Sequence, residues 1–253
     1  MGEVYQRALD IGATICYNMG VSIIRRVRMS ERILMMKKQM MRFASLLLAL
    51  LLAGCALMSC ASSKAPLHAE LDFTSVDPTK AQETSTVTEY VKISVKDYGD
   101  MIIRLYPDVA PKTVENFQKL VGQGFYDGLI FHRVIEDFVI QGGDPDGNGQ
   151  GGSDKTIKGE FRANGFENNL KHIRGVISMA RVGDDYNSAS SQFYICHETT
   201  PSTTALNGLF AAFGYVVSGI EVVDAIASVA TGANDKPLSD VVIEKACFVT
   251  IEK

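Results

Sequence analysis

The sequence predicts a mainly β protein, a closed antiparallel barrel of eight strands capped by two α-helices. Three observations carry that expectation. Short runs rich in Val, Ile, Phe and Tyr recur from residue 90 to the end, separated by Gly, Asp and Asn clusters. Only two stretches show an apolar stripe at helical spacing, residues 111–121 and 220–226. The strand runs are read as hairpin-connected, the first two joined by the turn at Asp97-Tyr98-Gly99-Asp100. A set of hairpin-connected strands with few helices closes most readily into a barrel.

Taken in order, Tyr90-Val91-Lys92-Ile93-Ser94-Val95 alternates, and Asp97-Tyr98-Gly99-Asp100 turns the chain. Met101-Ile102-Ile103-Arg104-Leu105 returns as the second arm of a hairpin. The next segment opens with Pro111, which suits a first helical turn, and places Val114, Phe117, Leu120 and Val121 on one face. Gly122 and Gly124 end it. Residues 131–145 predict two more strands. Strands are further expected at 175–180, 191–196, 209–217, 241–243 and 247–251, with the second helix between the last three.

Composition narrows the function classes. The apolar fraction of 46% is that of an ordinary globular chain. Charge is unevenly spread: residues 1–54 hold eight Lys/Arg and three Asp/Glu, which leaves −9 on residues 55–253 against −4 for the whole chain. An acidic body excludes nucleic acid as the main partner, since phosphate binding needs a basic footprint. Five cysteines without a CxxC pair, Cys16, Cys55, Cys60, Cys196 and Cys247, suggest neither a disulfide framework nor a zinc site. Cys196 and Cys247 sit in apolar runs and read as buried thiols, a bridge between them remaining open. Gly147-Asn148-Gly149-Gln150-Gly151-Gly152 fits GxGxxG, but no helix pattern opens after it, so a nucleotide-binding turn is not supported.

The N-terminal third is read as targeting. Residues 1–35 are expected to be an upstream extension without fold. In residues 36–54 a basic stretch, Lys37-Lys38-Gln39-Met40-Met41-Arg42, precedes an apolar run too short to span a bilayer comfortably. Leu52-Ala53-Gly54-Cys55 resembles the lipobox of bacterial lipoproteins. The resemblance implies lipidation at Cys55, a membrane anchor and a domain outside the cytoplasm. Ala56 after the cysteine favours an outer membrane where one exists. Residues 55–88 are polar and aperiodic, and read as a flexible tether carrying a folded domain over residues 89–253.

The chemistry concentrates in Phe131-His132-Arg133 through Gln141-Gly142-Gly143-Asp144-Pro145. Arg133 and Gln141 fall on one face of extended chain, and Phe138 and Val139 fall where the alternation breaks at a corner. Together with Ser178-Met179-Ala180, Ser190-Ser191-Gln192-Phe193, Leu206-Asn207-Gly208 and Phe213-Gly214, these motifs resemble the cyclophilin family of peptidyl-prolyl cis-trans isomerases. The match runs from about Tyr90 to Ile251.

The resemblance implies a cyclophilin-like barrel that isomerises X-Pro bonds with neither cofactor nor metal. Its implied catalytic pair is Arg133, the hydrogen-bond donor, and Gln141, which steadies Arg133 or a substrate carbonyl. Phe138, Val139, Tyr194, Leu206 and Phe210 match the proline-pocket wall. Ala180, Arg181 and Gln192, with Gln141, match positions that hold the substrate backbone. Tyr194, Val139 and Phe210 replace the family's commoner Phe, Met and His. Ala205 stands where many members carry Trp, a change that bears on cyclosporin binding. The implied partners are proline-containing peptides and unfolded or exported proteins, and a monomer is expected. The alternative is a proline-peptide binding or scaffold module with little turnover. His132 is expected to be a satisfied core residue.

Overall fold

A computed structural model describes residues 71–252. The segments read as upstream extension and lipoprotein signal, with Cys55 and the beginning of the tether, lie outside the described residues. A compact unit begins at Asp72.

Nine strands form one antiparallel sheet, so the expected count of eight is corrected. They are β1 (Ala81–Thr84), β2 (Tyr90–Val95), β3 (Gly99–Leu105), β4 (Arg133–Ile135), β5 (Val139–Gly142), β6 (Val176–Met179), β7 (Phe193–Cys196), β8 (Ala212–Ser218) and β9 (Ile243–Ile251). Their order across the sheet is β1-β9-β2-β3-β8-β6-β7-β5-β4. Among the described residues no ladder joins β4 to β1. Ile130, just ahead of β4, instead bridges both Asp144 and Val242. The runs at 241–243 and 247–251 are not two strands, since β9 runs unbroken from Ile243 to Ile251 and Val242 ahead of it makes only an isolated bridge.

Two helices match the apolar stripes, α1 (Pro111–Gly122) and, further on, α3 (Ile220–Ala227). A third, the single turn α2 (Pro201–Thr204), corrects the expected number. It has no room for an apolar stripe and exists because Thr200, just ahead of Pro201, forms a reciprocal capping box with Thr203 inside the turn.

The tether expectation is also corrected over residues 72–88. Asp77 caps a short 3-10 turn, Pro78–Lys80, by accepting from the Thr79 amide. Strand β1 then pairs with the edge of β9, Ala81 opposite Ile251. Ala81 packs against Ile102, Val217 and Val249, but Gln82, Glu83 and Thr84 are polar and largely in water, so the strand leaves no alternating apolar signal. Glu83 fastens it with Lys92 at 2.7 Å and Lys245 at 2.6 Å. Ahead of it, Asp72 pairs with Arg104, and Phe73 packs on Tyr215 with ring centres 4.7 Å apart.

The main core lies between the sheet and the helices α1 and α3. Phe117 of α1 meets Tyr126 and Phe213, both with centroids 5.1 Å away. Phe193 extends this aromatic cluster to Phe131. A smaller apolar cluster stands apart from it: Val139, Tyr194 and Cys196 are buried, with Phe138, Ala180, Leu206 and Phe210 packed against them.

Candidate active site

The β4–β5 hairpin supplies the polar half of the site. Arg133 pairs directly with Gln141 across it, and Ile135 with Val139. The corner read from the broken alternation is the turn between these strands, where Asp137 adopts φ 60°. The turn is pinned by the Asp137 amide, which donates to Nδ1 of His197 at 2.9 Å. The Phe138 carbonyl accepts from the amide of the same His197 at 2.9 Å. Strand β7 lies beside β5 and sets Tyr194 opposite Gln141. Ala180 follows β6, while Leu206 and Phe210 come from the loop between α2 and β8.

These elements enclose a cavity of about 180 Å³ lined by Arg133, Phe138, Val139, Gln141, Ala180, Arg181, Tyr194, Leu206 and Phe210. Tyr194 and Phe210 meet edge-on, with ring centres 5.9 Å apart. Of the catalytic and substrate-binding residues that the resemblance implies, Gln192 alone is absent from this lining. It borders an adjoining cavity of about 640 Å³, shared with Gln141, Ala180, Arg181 and the 149–153 loop. Gln192 accepts from Nε2 of Gln141 at 2.9 Å and donates to the carbonyls of Gly149 and Gly151. It therefore acts on the small cavity through Gln141.

Arg133 sits on the cavity rim with its side chain 37% exposed. Its Nη1 donates to Gln141 Oε1 at 3.5 Å and its Nε to Asp235 Oδ2 at 3.3 Å. No hydrogen bond from Nη2 occurs among the described residues. Arg181 is stacked against Phe210, Tyr186 and Phe161, its guanidinium carbon 4.5 to 5.3 Å from the ring centres. It donates to the Leu209 and Val182 carbonyls, which braces the two loops at the cavity mouth.

Beneath the cavity lies a polar network that the sequence did not disclose. The Tyr194 hydroxyl is 3.1 Å from Nε2 of His172, as is Ser178 Oγ. Asn207 Oδ1 accepts from the His172 amide and lies 3.2 Å from Nδ1. That oxygen can only accept, so Nδ1 carries the proton and Nε2 receives one from a hydroxyl. Burial pushes His172 down to about 4, with the Asn207 contact opposing, so the ring is neutral at physiological pH. Burial likewise holds the Tyr194 hydroxyl far above its usual range. The only hint of this network in the sequence is Tyr194 itself, since a buried phenol needs a partner.

Other expectations divide. Cys196 and Cys247 are free thiols; Cys196 is buried as expected while Cys247 is only half-buried, and burial raises Cys196 to about 12, which removes it as a nucleophile. His132 is buried as expected but not satisfied: among the described residues neither ring nitrogen has a hydrogen-bond partner. Burial lowers its pKa, against an opposing pull from Asp144. The Gly142-Gly143 pair ends β5, and Gly143 has φ +82° where a Cβ would come within 2.5 Å of the Ser191 carbonyl.

An apolar slot with the guanidiniums of Arg133 and Arg181 at its rim suits a small ring flanked by peptide. A family model for cyclophilin type peptidyl-prolyl cis-trans isomerases matches residues 90–247. The chain belongs to this family. Peptidyl-prolyl cis-trans isomerase B of Bacillus subtilis is 48% identical over 127 residues, covering 50% of this chain and 82% of that protein. A Streptococcus pyogenes protein whose name pairs a phosphatase with a peptidyl-prolyl isomerase is 41% identical over 180 residues, 60% of this chain. The chain spans 37% of that protein's length. Among solved structures, a Cryptosporidium parvum cyclophilin type isomerase, determined in the presence of the dipeptide Ala-Pro, is 31% identical with a TM-score of 0.56. It covers 65% of this chain and 99% of its own. The cyclophilin match and these relatives support peptidyl-prolyl cis-trans isomerase activity.

Proposed function

We propose that this cyclophilin is a lipid-anchored isomerase that accelerates rotation about X-Pro bonds in exported chains, with Arg133 as its catalytic donor. The observation that carries the catalytic part is the Arg133 guanidinium held on the rim of the 180 Å³ slot. A peptide bond resists rotation by about 18–20 kcal/mol because of its partial double-bond character. At proline the uncatalysed exchange takes roughly tens to hundreds of seconds. Lowering that barrier needs no nucleophile. It needs the ring held still and the twisted amide stabilised.

Phe138, Val139, Tyr194, Leu206 and Phe210 receive the pyrrolidine, and Gln141, Ala180, Arg181 and Gln192 flank the peptide on either side. As the C–N bond twists, the prolyl nitrogen becomes pyramidal and gains a lone pair. The permanently charged guanidinium of Arg133 donates a hydrogen bond to it. In the planar ground state that lone pair is delocalised, so the bond exists mainly in the transition state and lowers the barrier rather than only tightening binding.

The export and anchoring part is supported by the basic stretch, the apolar run and Leu52-Ala53-Gly54-Cys55. Two measurements test the whole reading. The full chain should accelerate exchange at an Ala-Pro bond, and rates equal to the blank would refute the isomerase. In cells, Cys55→Ser should abolish incorporation of labelled fatty acid and release the protein from membranes. Continued labelling would refute the anchor while leaving the isomerase intact.

A further inference from the structure

Arg133 is not oriented by its own hairpin alone. Gln141 faces it across β4 and β5, but at 3.5 Å that contact is at the outer edge of a hydrogen bond. A long side chain on a cavity rim with one weak hold keeps several rotamers open. The second hold comes from 102 residues further along the chain, where Asp235 Oδ2 accepts from Nε at 3.3 Å.

Asp235 is placed by an unusual turn. It ends the 3-10 segment Ala233–Asp235, and both Asn234 and Asp235 lie in the left-handed region, with φ 58° and 59°. Two adjacent non-glycine residues there are uncommon, and Asn and Asp tolerate it best. The turn is closed by the Gly232 amide donating to the Lys236 carbonyl at 2.8 Å, and by a bridge between Thr231 and Pro237. Lys236 Nζ reaches the Gly147 carbonyl at 3.4 Å and so ties the turn to the glycine-rich loop. Sparsely populated backbone maintained by its surroundings commonly marks a functional constraint.

We infer that Asp235 is a positioning residue that fixes the plane of the Arg133 guanidinium, with Gln141 as its second hold. The two acceptors take Nε and Nη1 and leave Nη2 to meet the prolyl nitrogen. Asp235 is 48% exposed, so solvent screens its charge and its contribution is chiefly directional. An uncharged oxygen of the same reach should then serve nearly as well.

This inference rests on the isomerase reading, and its test separates the two. The full chain is assayed as wild type, Asp235→Gly and Asp235→Asn. Glycine keeps the left-handed turn without strain and removes the acceptor, while asparagine keeps both. The expected result is a fall of about fivefold in kcat for Asp235→Gly, with KM unchanged and the melting temperature lowered by no more than about 2–4 °C, and recovery in Asp235→Asn. Wild-type kcat in Asp235→Gly, a change confined to KM, or equal losses in both variants would overturn the inference. Should the wild type itself show no isomerase activity, the isomerase reading falls, and the Arg133 Nε–H resonance decides the positioning. A sharp signal in wild type and Asp235→Asn that broadens in Asp235→Gly supports it, and a signal already broad in wild type refutes it.

Discussion

Replacing Arg133 with alanine removes the guanidinium on the β4 side of the small cavity and leaves Arg181 in place, and the structure separates its effects on stability and on rate. On the stability side, the ion pair with Asp235 is solvent-accessible at both ends, 37% and 48% exposed. Pairs of that kind contribute about 0.2–1 kcal/mol. The 3.5 Å contact to Gln141 adds little more. A melting-temperature drop of about 2–4 °C is therefore the most that Arg133→Ala should cause. On the rate side, a preorganised donor aimed at charge developing in a transition state is worth about 2.7–4 kcal/mol. Water reaches the rim and competes, which places Arg133 at the lower end, a loss of about 100-fold in kcat/KM. The apolar wall is untouched, so KM should change little and kcat should carry the loss. Exchange of an Ala-Pro peptide followed by NMR line-shape analysis yields both constants. A loss smaller than about threefold, or one appearing only in KM, would refute the donor role. Arg133→Lys should fall between, at roughly tenfold, because a point ammonium cannot satisfy Asp235, Gln141 and substrate together.

Tyr194→Phe keeps the ring in the cavity and deletes the hydroxyl 3.1 Å from His172. Ser178 still reaches Nε2, so denaturant unfolding should show a cost of about 1 kcal/mol and kcat/KM should stay within about twofold; a collapse in rate would place the hydroxyl in the chemistry. His172 is depressed from 6.5 to about 4, so its neutral form stabilises the fold fully above pH 6.5 and that contribution is lost as pH falls towards 4. The loss is about 3 kcal/mol by pH 4. His132 shifts in the same direction, so the measurement is the difference in unfolding free energy between wild type and His172→Gln across this window, and a constant difference would refute it. Gly143→Ala drives a Cβ to 2.5 Å from the Ser191 carbonyl at φ +82°, and should cost about 2–4 kcal/mol in thermal unfolding. An unchanged melting temperature would contradict the close approach.

The β2–β3 hairpin, the buried face of α1 and the strand-ending glycines were legible in the sequence because each is a local signal. Alternation, helical spacing and a turn residue express themselves within about ten positions. The family motifs were legible for the same reason, being continuous stretches. Where the signal is not local, the sequence was silent or misleading. Strand β1 reads as tether because only Ala81 of its four residues meets the core, and its main requirement is the free edge of β9 to pair with.

By itself, then, the sequence determined that a mainly β domain would carry Arg133, Gln141, Phe138 and Val139 in one short stretch. Only the tertiary structure decided what surrounds them. Strand β7 and the loop after α2 close the cavity with Tyr194, Leu206 and Phe210. His172 and Asn207 hold Tyr194 from beneath, and Asp235 takes hold of Arg133 from a turn 102 residues away. A side chain's direction depends on what lies across the sheet from it, and that neighbour is fixed by strand order rather than by proximity in the chain.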